Sequence, residues 1–354
     1  MSRWSIRKIQ VHTLLSLLSV ASILAYASVL IPPQFFWLIP LMSYGIPVLI
    51  AINFILVIPL LFTKRKRVLY PLACLILGLP FILDTYRFSH QESTLAYDFS
   101  VLSYNVKLFR EYKVYNKFSK ELIETAVKDT SDFKCFQEFS YNNRWSALDV
   151  PQKMKEEGYY AYIYTPEMRD ADHNPGMALF SKHKIIDKGM VWENPYSING
   201  VMYIDVKMDQ DTIRLYNVHL ASMELQLGQY KQSDHYLTKI KDLFQRLKNG
   251  AINRSNQIEQ LILHTQNCPY PYLIAGDFND TPYSYNYHTL SRYYSNVFEK
   301  VGQGFGFSFN STLFFLRIDH HFTNPEIEPV SFEVDRSIKT SDHFPTRGLY
   351  RINH

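Results

Sequence analysis

The stretch Tyr272-Leu273-Ile274-Ala275-Gly276-Asp277-Phe278-Asn279 decides the fold of this 354-residue chain. Its first four residues are apolar and strand-forming, which predicts a short buried strand. Gly276 then leads into a loop that carries the polar residues Asp277 and Asn279. Binding and catalytic groups are commonly carried where a rigid strand passes into a loop. Glycine, aspartate and asparagine are also turn residues, so the stretch alone is equally consistent with a simple turn.

The same arrangement recurs at other strand candidates along the chain. Strand-like runs lead into polar residues at Asn105, Gln137-Glu138, His219, Asp319 and Asp342-His343. Taken singly, each has an ordinary explanation, such as a solvated acid or a helix cap. Their joint recurrence favours one site assembled from several strand ends. Its oxygen-rich ligands suit Mg²⁺, or alternatively Mn²⁺ or Ca²⁺, whereas no cysteine or histidine pair has the spacing of a zinc site.

The sequence around these motifs predicts one α/β domain over residues 98–354, with helices covering the sheets. We predict strands at residues 99–104, 133–136, 161–164, 177–180, 202–207, 212–219, 272–275, 318–322 and 330–334. Helical spacing of apolar residues occurs near 118–127, 237–247 and 258–262. Asn249-Gly250 is expected to end the second of these helices.

Residues 1–88 have a different composition and predict a transmembrane anchor. Three uncharged apolar runs, at about 11–31, 35–62 and 68–83, follow one another. About 20 such residues are enough to cross the hydrocarbon core of a bilayer. A cleaved signal peptide would contain a single short apolar run. We therefore expect three retained helices, the third being the shortest, and a polar linker at 89–97.

The charge distribution predicts how the anchor is oriented. Residues 1–90 carry eight basic side chains and one acidic one, a charge of +7; because the whole chain has +4, residues 91–354 carry −3. Basic residues before the first run and the tetrad Lys64–Arg67 belong on the cytoplasmic side. Three spans would make this an integral inner-membrane protein with the α/β domain on the extracytoplasmic, periplasmic side. Two spans would invert that orientation.

The ordered motifs resemble the endonuclease/exonuclease/phosphatase superfamily, and the chain looks like a membrane-anchored, bacterial-type member of it. The resemblance rests on Ser103-Tyr104-Asn105, Gln137-Glu138, Asn217-Val218-His219-Leu220, Gly276-Asp277-Phe278-Asn279, Arg317-Ile318-Asp319 and Ser341-Asp342-His343. The superfamily includes deoxyribonucleases, neutral sphingomyelinases and inositol-polyphosphate phosphatases. The resemblance implies a four-layer α/β sandwich, with two central β-sheets flanked by helices, from residue 99 to the C terminus. His320-His321 and Arg347 depart from the family's usual pattern.

The resemblance also implies which residues bind the metal and the phosphate. Glu138 would bind the divalent metal, with Asn105 nearby and Asp342 completing its ligand shell. His219 would be a phosphate contact. Asn279 would orient the attacking water or a phosphate oxygen.

Three further residues are implied to move or hold protons. Asp277 would take a proton from the attacking water. His343 would donate hydrogen bonds to the phosphate, and Asp319 would fix its ring and favour its charged form. Which of Asp277 and His343 is the general base stays open at this stage.

These observations predict a membrane-anchored, divalent-metal-dependent phosphoester hydrolase. The alternative is a catalytically inactive binding module with the same fold. Nucleic acid, a lipid headgroup and a small phosphate are alternative substrates, and the charge of −3 over residues 91–354 favours the last two over duplex DNA. Tyr283 and Tyr285 are candidate substrate contacts, either stacking on bases or lying along a lipid; alternatively, they pack a following helix. No obligate protein partner is evident.

Overall fold

The computed structural model describes residues 3–62, 65–88, 96–111, 117–167, 174–222 and 236–353. The predicted linker at 89–97 therefore lies outside the described residues except for its last two positions. Residues 3–88 are mainly helical and form the helical region, and residues 96–353 contain the strands and form the sheet domain.

The helical region contains three longer helices that pack against one another: α1 (Arg3–Ser28), α4 (Ile46–Leu61) and α5 (Arg65–Leu77). Short helices lie between and after them: α2 (Pro33–Phe36), α3 (Leu38–Leu41), a 3₁₀ turn at Met42–Gly45, and α6 (Leu79–Thr85). Residues 10–28 and 38–61 are long and apolar enough to cross a membrane. The pair Lys66–Leu77 and Leu79–Thr85, bent by 57°, would make a third span.

A buried polar contact joins two of these helices. The Asn53 side-chain amide donates to Ser22 Oγ at 3.0 Å, and both residues are fully buried. Elsewhere the helices expose many large apolar side chains, including Leu14, Phe54 and Ile55. An outer surface of apolar residues around an interhelical hydrogen bond is typical of helices packed in a bilayer.

In the described part of the sheet domain, twelve strands form two six-stranded sheets. The strands are β1 (Phe99–Asn105), β2 (Phe133–Phe139), β3 (Tyr160–Tyr164), β4 (Gly176–Ser181), β5 (Ile185–Glu193), β6 (Gly200–Met208), β7 (Asp211–His219), β8 (Tyr272–Asp277), β9 (Ser295–Asn296), β10 (Asp319–Thr323), β11 (Ile327–Val334) and β12 (Thr346–Ile352). The first sheet has the order β11-β12-β1-β2-β4-β3, and the second has the order β5-β6-β7-β8-β10-β9. Each contains one central parallel pair, β1 with β2 and β7 with β8, and its other pairs are antiparallel.

Helices cover the outer face of each sheet, which gives four layers. These helices are α7 (Lys120–Lys128), α8 (Val150–Glu156), α9 (Tyr236–Gln266) and α10 (Tyr285–Leu290), whereas α11 (Val297–Val301) contacts β10 of one sheet and β11 of the other. A core between the sheets includes Val101, Ile204 and Leu273. A second core lies under α7 and α8, and a third lies under α9 and α10. The predicted α/β sandwich with two central β-sheets is confirmed.

The predicted break in the long helix is wrong, because α9 continues through Asn249-Gly250 to Gln266. Gly250 is buried, and α9 packs on α2, α10 and β5. These contacts outweigh the roughly 1 kcal/mol by which glycine disfavours a helix. Strands β5, β9 and β12 have no counterpart among the predicted strands. Strand β5 is an edge strand whose mostly half-exposed pattern includes Asp187 and Lys188, so its sequence lacks a clear apolar alternation.

Candidate active site

The two central parallel pairs bring the predicted site residues to one edge of the sandwich. In β1 and β2, Asn105 lies opposite Gln137, next to Glu138. In β7 and β8, His219 lies opposite Asp277. Parallel strands end at the same edge of a sheet, and the Asn105 amide, which donates to Asp277 Oδ2 at 3.0 Å, joins the ends of the two pairs.

Asp277 lies at the centre of this edge and is 1% exposed. Its Oδ2 accepts from the Asn105 side-chain amide at 3.0 Å, and its Oδ1 accepts from the backbone N–H of Asn279 at 2.8 Å. Gly276 has φ +153°, and a Cβ there would lie 2.0 Å from the carbonyl oxygen of Val218 on β7. Only glycine allows β8 to approach β7 this closely, so Gly276 positions Asp277.

A histidine and a second carboxylate pair beside Asp277. Asp319 is in register with Asp277 across β8 and β10, and its Oδ2 lies 2.9 Å from His343 Nδ1. His343 Nε2 lies 3.6 Å from Asp277 Oδ2. Burial lowers the pKa of His343, but the Asp319 and Asp277 carboxylates outweigh it and raise the pKa to about 10. His343 therefore carries a proton at neutral pH.

His219 approaches the same carboxylate from the opposite strand. Its Nε2 lies 3.9 Å from Asp277 Oδ2, and its Nδ1 lies 3.2 Å from the carbonyl oxygen of Ile198. Asn279 has φ +49° and donates from its side chain to the carbonyl oxygen of Leu220 at 3.0 Å. These contacts fix both side chains around Asp277.

Glu138 and Asp342 form a second acidic position. Glu138 has φ +46°, in the left-handed region, at a register shift between β2 and β4, and its Oε1 accepts from the Asn105 amide at 3.2 Å. Burial and the nearby Asp342 carboxylate raise the pKa of Glu138. Asp342 also accepts from Lys107 Nζ at 2.6 Å. Non-glycine residues in such backbone regions cluster at functional sites.

The donor set fits a hard divalent cation. Asp277, Asp319 and His343 are buried, with side-chain atoms within 4.8 Å of one another, and because His343 is protonated the carboxylates are the ligands that this group offers. Glu138 and Asp342 repel each other in this partly buried setting, and a cation between them would relieve the repulsion that raises the pKa of Glu138. Carboxylate and amide oxygens are the ligands that Mg²⁺ prefers. The predicted metal residues Glu138, Asn105 and Asp342 are thus close to the Asp277 group, although Asp342 is already paired with Lys107.

The loop after Asn279 is held by the helical region. The Asp280 carboxylate accepts from Arg254 Nε at 3.2 Å and from the Tyr44 hydroxyl at 3.2 Å. Arg254 also donates to Tyr44 Oη at 3.3 Å and to the carbonyl oxygen of Ala221 at 2.9 Å. Tyr44 belongs to the 3₁₀ turn between α3 and α4, so a residue of the helical region contacts the site loop directly.

A cavity of about 740 Å³ runs from the acidic residues toward the helical region. It is lined at one end by Glu138, Asn279 and Asp342. Tyr283 also lines it, and its hydroxyl lies 2.6 Å from Thr85 Oγ1. Tyr285, the other tyrosine predicted as a substrate contact, begins α10 and is outside this lining in the part of the chain that the structure describes.

Two residues beside the candidate site had no signal in the sequence. Lys107 lies three residues beyond the predicted strand 99–104, in a segment where residues 107–109 all have positive φ, and it donates to Asp342. Ser308 Oγ accepts from the backbone N–H groups of Ile318 and Asp319, each at 3.1 Å, and so fixes the start of β10. Both depend on loop conformations that the apolar pattern does not encode.

The His320-His321 pair, which departs from the family's usual pattern, is buried and hydrogen-bonded inside the sheet domain. His320 Nε2 lies 3.0 Å from the carbonyl oxygen of Asp280, and His321 Nε2 lies 3.1 Å from Thr346 Oγ1. Burial lowers the pKa of each to about 3, so both rings are neutral. Arg347 lies on the outer face of β12, where it pairs with Asp129 and Asp335, each at 2.8 Å.

Both parts of the chain match a known family of sequences. A family described as the Endonuclease/Exonuclease/phosphatase family matches residues 102–343, and one described as a domain of unknown function matches residues 9–85. Among curated proteins, none matches the chain.

Solved structures share the fold at low sequence identity. An endonuclease/exonuclease/phosphatase from Beutenbergia cavernae is 13% identical with a TM-score of 0.53, over 73% of this chain and 72% of that one. A family protein from Leptotrichia buccalis is 15% identical with a TM-score of 0.51, over 72% of this chain and 100% of that one. One from Bacteroides vulgatus is 15% identical with a TM-score of 0.52, over 72% and 99%. At these identities the likeness concerns the fold alone.

Proposed function

The chain belongs to the endonuclease/exonuclease/phosphatase family, and from this premise we propose that it is a membrane-anchored, divalent-metal-dependent phosphoester hydrolase. The observation that carries the proposal is the convergence of Asp277, Asp319 and His343, buried and within 4.8 Å of one another, at the strand ends that also hold Glu138 and Asn105. The members of this family are phosphoester hydrolases. A phosphoester resists water because the attacked group is anionic and the leaving oxygen is poor, so a site must supply both positive charge and a base.

The raised pKa of His343 supports Asp277 as the general base. His343 holds its proton at neutral pH because its pKa is about 10, so it serves as a donor to a phosphate oxygen. Asp277 accepts hydrogen bonds from Asn105 and from the Asn279 backbone, which orient its carboxylate. A group within reach of the attacking water that is free to accept a proton is the natural base.

The other residues orient the reacting groups. Asn279 and His219 flank Asp277, where His219 would contact the phosphate and Asn279 would orient the attacking water or a phosphate oxygen. Asp319 holds the His343 ring through Nδ1, which leaves Nε2 directed at the site. Glu138, Asn105 and Asp342 would hold Mg²⁺, or Mn²⁺ or Ca²⁺. When bound, the cation supplies positive charge that stabilises the transition state and the leaving oxygen.

The helical region supports membrane anchoring with the sheet domain on the far side from the basic residues. The turn between α1 and α4 and the end of α6 both contact the sheet domain, through Gln34 with Ser255 and Asp84 with Arg317. At the other ends of the helices, Arg67 Nε lies 3.3 Å from His12 Nε2. Arg67, near the start of α5, and His12, in the first half of α1, thus lie together away from these contacts. By the positive-inside rule, three spans would put the sheet domain on the extracytoplasmic side of the inner membrane.

Hydrolysis of bis(p-nitrophenyl) phosphate by the purified full chain tests the proposal. We expect turnover with Mg²⁺ that is abolished by chelation, and a loss of 10²-fold or more in Asp277→Asn, as is usual for a general base. Glu328→Gln, which changes an exposed carboxylate on β11, is the matched control and should retain full activity. Equal Mg²⁺-dependent rates in wild type and Asp277→Asn would refute Asp277 as the base, and no Mg²⁺-dependent turnover at all would favour the inactive binding module.

A further inference from the structure

The 740 Å³ cavity beside the site has walls from both parts of the molecule. From the helical region come Tyr44, Pro47, Asp84 and Thr85. The segment between α11 and β10 supplies most of the apolar lining: Phe305, Phe307, Phe309, Leu313, Phe315 and Leu316. Its volume lies within the roughly 300–1,000 Å³ of pockets that hold a small organic ligand. An apolar cavity that begins at acidic site residues suits a ligand with one polar and one apolar end.

The same segment exposes large apolar side chains next to the helical region. Phe314 and Phe315 are 65% and 50% exposed, respectively. Tyr86, at the end of α6, packs edge-on against Phe305 at 4.9 Å and against Phe88 at 4.7 Å. Aromatic residues concentrate where a membrane protein meets the headgroup layer, and exposed apolar patches mark sites of contact with a membrane or a partner. The cavity mouth therefore lies at the level expected of the bilayer surface.

Arg317 supplies a cation to this lining, near the Asp84 carboxylate that lines the same cavity. It is 3% exposed, donates from Nη2 to the carbonyl oxygen of Asp84 at 2.7 Å, and lies over the Phe298 ring at 4.0 Å. Among the described residues, its Nε and Nη1 have no hydrogen-bond partner. Buried donors without acceptors are costly, so a ligand oxygen is the natural partner. An arginine in this position suits a phosphate or an ester carbonyl near the polar end of a ligand.

We infer that the substrate is a membrane phospholipid, whose acyl chain enters this cavity while its phosphoester reaches Asp277 and His343. The inference rests on the proposed hydrolase function and names its substrate class. A lipid diffusing in the bilayer around the helical region would reach the cavity mouth without leaving the membrane surface. Its chain would contact the phenylalanines, and its head oxygens would accept from Arg317. The helical region would then form part of the substrate site as well as the anchor.

A series of alkyl p-nitrophenyl phosphate diesters tests chain recognition while keeping the reacting group constant. Full-length protein in detergent is assayed with methyl, butyl and octyl esters. Each buried methylene is worth roughly a fourfold gain in binding, so the four added from butyl to octyl should raise kcat/KM by at least about tenfold and at most about 200-fold. Leu313→Glu, which places a charge in the cavity lining, should bring the octyl-to-methyl ratio close to one. Leu263→Glu, at an exposed leucine of α9, should leave that ratio as in wild type.

A binding measurement separates the cavity from the chemistry. Native mass spectrometry of Asp277→Asn with dioctanoyl phosphatidylglycerol should show one bound lipid, and Leu313→Glu in the same background should not. Equal kcat/KM for all three diesters would overturn the lipid inference and leave the hydrolase intact. So would a preference for a single-stranded oligonucleotide over the octyl ester, or an unchanged octyl-to-methyl ratio in Leu313→Glu. If no diester is hydrolysed, the proposed hydrolase fails, and the mass measurement alone decides whether the cavity binds a lipid.

Discussion

Replacing Asp319 by asparagine should move the alkaline limit of activity toward neutral pH. The Asp319 carboxylate lies 2.9 Å from His343 Nδ1, and it is the foremost of the neighbouring charges that raise the pKa of that histidine to about 10. Asparagine keeps the shape and an acceptor oxygen for Nδ1 but removes the charge. The change therefore isolates the electrostatic effect of Asp319 on His343.

The size of the shift follows from the distance. Two unit charges about 4 Å apart interact by about 4 kcal/mol at an effective dielectric constant of 20, and one pKa unit corresponds to about 1.36 kcal/mol. Removing the charge should therefore lower the pKa of His343 by up to about 3 units, and measured effects of such neighbours span about 1–3 units. Asp277, with its Oδ2 3.6 Å from His343 Nε2, remains and opposes a larger fall. The pKa in the variant should lie between about 7 and 9.

The assay is the pH dependence of kcat/KM for bis(p-nitrophenyl) phosphate at constant free Mg²⁺ from pH 6 to 10. Activity that requires protonated His343 is lost as the pH rises through its pKa. Wild type should stay level to about pH 9, whereas Asp319→Asn should decline within pH 7–9 and approach its own plateau near pH 6. Glu328→Gln should follow wild type. A variant profile parallel to that of wild type, merely scaled down at every pH, would refute the proposed charge coupling.

The free energy of unfolding is a second, independent test of the Asp319–His343 pair. The pKa of folded His343 is above its ordinary value of 6.5, so the pair stabilises the fold fully below that value and loses this contribution as the pH rises through about 10. The difference in unfolding free energy between wild type and Asp319→Asn should be largest near pH 6 and shrink toward pH 10. Denaturant unfolding at several pH values measures it.

Three further substitutions test particular contacts. Gly276→Ala should destabilise the fold by several kcal/mol, because its Cβ would lie 2.0 Å from a backbone oxygen in the sheet, and circular dichroism during heating would detect the loss. Arg254→Met leaves the buried Asp280 carboxylate without its cation and should cost about 3–5 kcal/mol of unfolding free energy, whereas the double variant with Asp280→Asn should recover part of it. Lys107→Met removes the partner of the Asp342 carboxylate and should lower the half-saturating Mg²⁺ concentration by up to about fivefold, since partly exposed pairs contribute about 0–1 kcal/mol.

The strand ends were predictable because burial and chain direction are both encoded locally. Strand β8 is an apolar run, and its glycine and aspartate follow in sequence at the point where the strand ends. The same holds for Asn105 and His219. Since the central pairs are parallel, residues at the ends of neighbouring strands meet whatever the intervening loops do. This explains how residues far apart in sequence could be assigned to one site.

The features that the sequence did not predict, namely strand β12, the roles of Lys107 and Ser308, and the cavity, depend on tertiary contacts. Buried and half-buried residues alternate along strand β12. The half-buried positions include Arg347 and Arg351, whose acidic partners lie far away in the sequence, so the sequence of β12 alone does not predict a strand. Lys107 and Ser308 act through loops with positive φ or long-range contacts. The cavity is formed by residues near 44, 85 and 305–318, which are separated by long stretches of chain. No local pattern indicates that such segments share a surface.

The contacts at Asp280 give the helical region a role in the site itself. Asp280 immediately follows Asn279, and its carboxylate is held by Arg254 of the sheet domain and by Tyr44 of the helical region. Arg254 also holds the carbonyl of Ala221, one residue after the carbonyl that fixes Asn279. A shift of the 3₁₀ turn that carries Tyr44 would therefore be transmitted through Asp280 to the residue beside the proposed base. A helical region that served only as a membrane anchor would require none of these buried contacts. An enzyme that takes its substrate from the membrane would require a fixed position of its active site relative to its membrane helices.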